Sequence, residues 1–411
     1  MRSSRWRSAG GRFLGFGVVP ALSLASSVVL LPLVAHRFGP LGWSSISVGT
    51  AIGAYAGVVI GLSWPITGPH RVARANAGDR RAIYWQSLRS RALVFVCALL
   101  PVVVLAGLLT ASGPYMLTTV LVAVGISLNG FTAAWYFAGT GSPWLLVRNE
   151  ALIRCGNYLL IILALSLGAP FWFYGAAIVA SGVLMLVANW FTIMGGRSLR
   201  PASGSVSREP VREQISGAAA RFANSAFTTL TPVLFALAHP TALSAFTALD
   251  QLQKAANNGL GAFPQALVGF VSRLNGAPLL HRLRLVIVTG CCSAIIGCLV
   301  FALIGPELIR GLYRGKVDPD FSASVLVGVT IAMLFLGQLL QQVVLVPAGM
   351  VATSYAVMAS VSLSGIPVFM GVSRTFGVTG GVAVIASVAT LIALCYLVLA
   401  ARGMRRMSAG G

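Results

Sequence analysis

Acidic side chains are scarce in this chain, with 8 Asp and Glu among 411 residues. Chemistry that relies on paired carboxylates has little to draw on. The four histidines, His36, His70, His239 and His281, sit near the ends of apolar runs and form no cluster with an acid or a cysteine. The six cysteines at 97, 155, 291, 292, 298 and 395 all fall inside apolar runs and make no CxxC pair. That excludes a zinc or disulfide framework and leaves them as small core side chains. Charge of either sign is also rare, at 9% of residues against 57% hydrophobic, and the mean hydropathy is +0.87. A soluble domain of this length cannot have that balance.

What is present instead is a series of apolar runs of about 20 residues, the length that crosses a bilayer as a helix. The reading is an all-α polytopic membrane protein. The runs fall at 13–36, 42–65, 92–111, 115–140, 150–168, 171–194, 215–238, 241–272, 284–303, 322–346, 350–372 and 379–401, giving twelve spans. Gly-Pro and similar pairs mark many of the joins, as at Gly39-Pro40, Gly113-Pro114 and Gly305-Pro306. The first run is too long for a cleaved signal segment and has no small-residue cleavage pattern, so it counts as a span. The stretch 70–91 reads as a basic, surface-lying cytoplasmic link whose apolar face is broken by Gly78 and Asp79.

The net charge of +21 comes from 29 basic and 8 acidic residues. The basic residues sit in short loops, where membrane orientation and lipid headgroups account for them, and a nucleic-acid partner is not expected. With the N-terminus inside, 22 basic residues lie in cytoplasmic segments and 5 outside, while Arg221 and Lys254 fall within spans. This bias places both termini in the cytoplasm.

The chain also repeats itself. At an offset of 200, Pro32 and Pro40 meet Pro232 and Pro240; at 199, Trp64-Pro65 meets Phe263-Pro264 and Arg74 meets Arg273; at 206, the run from Gly175 meets the run from Gly381. Two six-helix lobes, 1–196 and 215–411, joined by a cytoplasmic linker at 197–214, are the expected organisation, related as a parallel repeat. Gly49, Gly53, Gly57 and Gly61 form a stripe at spacing four in the second span. Such a stripe serves close helix packing or a gating surface between lobes. The matching positions in the second half are Leu249, Gln253, Asn257 and Gly261.

The most informative stretch is 241–276, apolar at both ends but carrying Asp250, Gln251, Gln253, Lys254, Asn257 and Asn258 in its middle. An ionisable residue inside a span costs about 2.5–3.5 kcal/mol on insertion scales and marks a functional position by default. Asp250 and Lys254 lie four apart, on one helical face. Lys254 is the leading candidate for a cavity cation. Asp250 is either its structural partner or a titrating carboxylate, and Asn257, Asn258 and Gln265 extend the same lining. Arg221 either faces the same cavity or reaches back to the interface. Arg148, Glu150 and Arg154 are either ordinary loop charge or contacts for a headgroup at the cytoplasmic entrance, with Arg74 and Arg273 as further entrance residues. Trp135 and Tyr136 stack on a sugar or belong to the core.

Three stretches carry a resemblance to a known family: HRFGPLGWSSISVGTAIGAYAGVVIGLSWPITGPHRVARA at 36–75, WYFAGTGSPWLLVRNEALIRCGNYLLI at 135–161, and DQLQKAANNGLGAFPQALVGFVSRL at 250–274. Together they resemble the polysaccharide repeat-unit flippases, the O-antigen-type exporters of the multidrug/oligosaccharidyl-lipid/polysaccharide (MOP) superfamily. The resemblance implies a transporter rather than an enzyme. It would move a polyprenyl-pyrophosphate-linked oligosaccharide across the cytoplasmic membrane by alternating access of two lobes. It implies no cofactor beyond a coupling ion, H+ or Na+, and contact with membrane lipids and polysaccharide assembly proteins. Two alternatives come from the residues. An integral-membrane glycan-processing enzyme would need clustered acids at an interface, and a drug/cation antiporter of the same superfamily would favour buried carboxylates in both halves. The first half shows no mid-helix acid in sequence.

Overall fold

A computed structural model of the chain describes residues 36–111, 113–195, 211–260, 277–312, 320–345 and 350–409, with isolated positions besides; at 211–221, 277–284 and 405–409 it describes the backbone alone. The expected first span lies almost wholly outside the described residues, as do residues 196–210 of the linker and the segment 265–276 with Gln265 and Arg273. The chain divides into two compact units, Met1–Ser225 and Ala226–Gly411.

In the first unit, α1 (His36–Gly61) is followed by a break at Leu62, whose φ is +49°, and by the short α2 (Trp64–Arg74). Helix α3 runs unbroken from Ala77 to Thr110. The expected surface link at 70–91 is therefore corrected: most of it is the first half of α3, and Tyr84, Ser87 and Arg91 there are buried. Gly78 and Asp79 fall in the first turn, where a helix tolerates them, and no breaker follows before Pro101. Chain position 116–140 is one span in two pieces. Helix α4 (Met116–Ser127) tightens into a 3-10 turn at Leu128–Phe131, leaves helical geometry at Thr132, and resumes as α5 (Ala134–Thr140). The next span is also irregular. Helix α6 (Pro143–Leu146) leads through a π-helical turn at Val147–Ala151 into α7 (Leu152–Ser166). Helix α8 (Trp172–Met194) then ends at Gly195, where φ is +64° and a side chain would be strained.

Glycine allows α1 and α4 to touch backbone to backbone. A Cβ placed on Gly49 would come within 2.6 Å of the Thr119 carbonyl oxygen, and one on Gly53 would run into the Ala123 carbonyl. Gly49 and Gly53 thus pack α1 on α4 inside the first unit.

Helix α9 (Val211–Ala238) leads into the second unit and turns at His239-Pro240 into α10 (Leu243–Leu260). Helix α11 (Ala277–Leu312) lies along α12 (Phe321–Leu339), which ends in a π-helical turn at Leu340–Leu345. Residues Val351–Ala409 form α13, interrupted at Gly377 with φ +58° and ψ −138°. Its 53-residue apolar window would be about 80 Å long as one rod, far beyond the ~30 Å hydrocarbon core, so the break divides it into two passes. Phe335, Leu336, Leu339 and Val343 pack against Ile392, Tyr396 and Leu399 to form the core, and Tyr396 Oη donates to the Ser354 carbonyl at 3.0 Å.

Seven helices among the described residues are long and apolar enough to cross a membrane. The outer faces of α3 (Leu93, Val96, Leu100, Leu108) and α11 (Ile295, Ile296, Leu299, Leu303) are exposed. Rows of aliphatic side chains that long are stable against lipid tails, not water. The protein is a multi-pass membrane protein.

Candidate functional site

The ionisable face of α10 is assembled as its spacing implies. Lys254 Nζ sits 2.7 Å from Asp250 Oδ2, one turn away. Thr231 of α9, the residue before Pro232, donates its hydroxyl to Asp250 Oδ1 at 3.0 Å and accepts from Lys254 Nζ at 3.4 Å. The carboxylate side chain is 2% exposed and the lysine 31%. The acid is thus sealed while the cation keeps an open side, so the arrangement presents positive charge outward and stores its counter-charge beneath. Gln253 is buried beside them. Asn257 donates to the Gln253 carbonyl at 3.2 Å, and its buried Oδ1 has no partner among the described residues. Asn258 is exposed. Arg221 lies on α9 and Arg74 ends α2, but their side chains are outside the described set.

A second polar centre lies in the first unit, at the break between α4 and α5. Leaving helical geometry strands backbone groups where no water can reach them, at a cost of several kcal/mol each. Two opposite charges supply the missing partners. Arg91 Nη1 donates to the carbonyls of Gly130 and Thr132, each at 3.0 Å. Glu150 Oε1 accepts the Ala133 N–H at 2.9 Å. The Thr132 carbonyl and the Ala133 N–H belong to one peptide group, so that peptide is held between a guanidinium and a carboxylate. Thr132 Oγ1 also donates to Glu150 at 2.7–2.8 Å, and Asn189 Nδ2 donates to it at 3.1 Å. Arg154 approaches Glu150 at 3.8 Å and donates to Asn129 Oδ1 at 3.0 Å. A cleft of about 320 Å³ opens beside them, lined in part by Asn129, Arg154, Asn157, Tyr158 and Ser181.

This geometry revises the reading of residues 148–154. Glu150 is 4% exposed and integral to the break, not loop charge at an entrance. Arg154 is half-buried beside it, and Arg148 stays exposed, bonded to Asn149 and Thr192. The first half therefore does hold a buried carboxylate, which the sequence did not reveal. Trp135 and Tyr136 are packed in the aromatic core with Trp64 and Tyr84, at 3% and 9% exposure. Arg91, Thr132, Asn189 and Thr231 were not singled out from sequence. Asn129, Thr132 and Asn189 are polar residues inside apolar runs, which is a weak signal, while Arg91 lies at the edge of its run.

No protein-family model and no curated protein matches the sequence. Solved structures do match over nearly the whole chain. An inward-facing MATE-family multidrug resistance transporter of the MOP superfamily aligns with a TM-score of 0.62 at 14% identity, covering 96% of this chain and 94% of the other. The fold is that of the MATE transporters. The MATE fold recurs in a MATE crystal structure in complex with MaD5, with a TM-score of 0.55 at 13% identity, covering 96% and 95% of the two chains. A MOP-superfamily transporter from Pyrococcus furiosus, for which a reversed polarity of the binding pocket suggests a different function, aligns at 0.55 with 12% identity over 96% and 95%. The MATE fold positions the two polar centres, one in each unit, and identities this low leave their chemistry to be argued from the residues.

Proposed function

We propose that the chain is a flippase, carrying a polyprenyl-pyrophosphate-linked oligosaccharide from the inner to the outer leaflet of the cytoplasmic membrane, with both termini inside. The observation that carries this reading is Lys254. It is a half-open ammonium on the polar face of α10, steadied by a sealed Asp250 and a Thr231 hydroxyl. A pyrophosphate brings about two negative charges into a low-dielectric site, and an ammonium or guanidinium is the side chain that receives it. The carboxylate beneath moderates the field, so that the headgroup can be released as well as captured. The resemblance at 36–75, 135–161 and 250–274 points the same way.

Export of the lipid-linked oligosaccharide, with membrane insertion checked in parallel, tests the assignment. Lys254→Ala should abolish export, and Lys254→Arg should keep part of it, since the charge survives with altered geometry. The pair Asp250→Ala with Lys254→Ala decides between a binding and a structural lysine. A structural pair loses nothing when both charges go, because no charge is left buried alone. Recovered export in the double variant would end the assignment.

A drug/cation antiporter is the second reading, favoured by one specific observation: each unit holds a buried carboxylate, Glu150 and Asp250. It predicts ion-driven accumulation of a lipophilic cation in vesicles, lost in Asp250→Asn, with no flipping of lipid-linked sugar. The flippase reading predicts the reverse.

A further inference from the structure

Behind the break between α4 and α5, four buried polar atoms have no partner among the described residues: Tyr84 Oη, Ser87 Oγ, Arg91 Nη2 and Trp135 Nε1. They belong to side chains already in contact. The Arg91 guanidinium carbon lies 5.7 Å from the Trp135 ring centre, and the Tyr84 and Trp135 rings are nearly parallel at 6.5 Å. Ser87 stands one turn from each of the other two on α3, and its carbonyl accepts Arg91 Nε at 3.3 Å. Tyr84 and Ser87 are 0% exposed, Arg91 1% and Trp135 3%.

The chemistry of the group is one-sided. Arg91 Nη2 and the indole N–H can only donate, and the two hydroxyls each carry a proton to give. The nearby carbonyls are engaged: those of Gly130 and Thr132 take Arg91 Nη1, and that of Ser87 takes Arg91 Nε and the Ser90 hydroxyl. Gln86 Oε1, also unpaired, stands two positions from Tyr84 and so on another face of α3. Charge is one-sided as well. Arg91, Arg154 and Glu150 together leave one positive charge, and Glu150 already accepts from Thr132, Ala133 and Asn189. A buried, incompletely bonded guanidinium is among the costliest groups to leave alone.

We propose that these four donors together hold one small monovalent anion of halide size. A monatomic anion accepts from all four donors at once, cancels the residual charge, and brings no proton that would need an acceptor of its own. Bound there, it braces the face of α3 that holds the broken span, and the stability of the first unit becomes linked to halide concentration.

The test is thermal unfolding of the purified full chain in detergent, in sodium chloride against sodium gluconate at equal ionic strength. The expected result is a midpoint higher in chloride by about 2 °C or more. Trp135→Phe keeps an aromatic ring while deleting one donor, and Ser87→Ala deletes another with little change of volume. Both variants should shrink the chloride-dependent shift at least by half. An equal midpoint in the two salts would mean that no halide sits among the donors, and the proposal fails. A shift of full size persisting in both variants would place the halide elsewhere and overturn the proposal as well.

Discussion

Glu150 is the residue on which the first unit's irregular backbone converges. It accepts hydrogen bonds from Thr132, Ala133 and Asn189 and offsets Arg91 through the peptide group between them. Glutamine keeps the size but carries a donating NH2, which would oppose at least one of those donors and leave two guanidinium groups without their shared counter-charge. Removing one partner of a buried ion pair costs about 3–5 kcal/mol, so Glu150→Gln should lower stability by that order. Arg154→Ala should cost under about 1 kcal/mol, because its 3.8 Å contact with Glu150 is made by a side chain 29% exposed. Denaturation of the two variants side by side checks the ranking, and comparable losses would contradict it. In sequence, Glu150 looks like Arg148 and Arg154, one charge among three at the start of an apolar run. Its burial depends on a helix break in a neighbouring span, and hydrophobic periodicity carries no record of that. Asp250 and Lys254 were legible because their spacing alone makes them neighbours.

The helices themselves give a sharper contrast between what a pattern shows and what packing adds. Four glycines at spacing four announce a packing surface, yet they do not have equal neighbours. A Cβ at Gly49 would meet the Thr119 carbonyl oxygen at 2.6 Å, and Gly53 is held as closely by Ala123. At Gly57 the nearest atom would be 3.5 Å away and at Gly61 3.8 Å, both ordinary contacts. Alanine is the better helix former by about 1 kcal/mol. Gly57→Ala and Gly61→Ala should therefore be neutral or mildly stabilising, while Gly49→Ala and Gly53→Ala should force α1 away from α4 and lower the unfolding midpoint. Four equal effects would refute this account of the stripe. The apolar runs were similarly legible as spans but not in their ends. Helix α3 begins at Ala77, not at the start of its apolar stretch, because Tyr84 packs among the aromatic rings of α2 and α5 and Arg91 bonds the carbonyls of Gly130 and Thr132. The 3-10 turn at 128–131 had no residue-type signal beyond Asn129 and Gly130 inside an apolar run, and the charges of the π turn at 147–151 read as the polar edge of the next one.

For the whole molecule the question is how many times the chain crosses, and α10 decides it. Its charged face keeps it out of the set of seven helices recognisable by apolarity alone, and the proposed role of Lys254 requires it to span. Position 79, at the start of α3, and position 320, before α12, are both exposed and both described. Between them lie α3, the α4–α5 pair, the α6–α7 pair, α8, α9, α10 and α11. Seven crossings are an odd number, so the two positions should lie on opposite sides of the membrane, with 79 in the cytoplasm as the excess of basic residues around it implies. Were α10 to rest on the surface instead, six crossings would put both on one side. Single cysteines introduced as Asp79→Cys and Asp320→Cys, in a background whose six native cysteines are replaced by alanine, can be labelled in intact cells with a membrane-impermeant maleimide. The expected result is labelling at 320 and protection at 79 until the cells are opened. Labelling of both from outside, or of neither, would remove α10 from the membrane interior. It would also take Lys254 away from any headgroup passing through the bilayer.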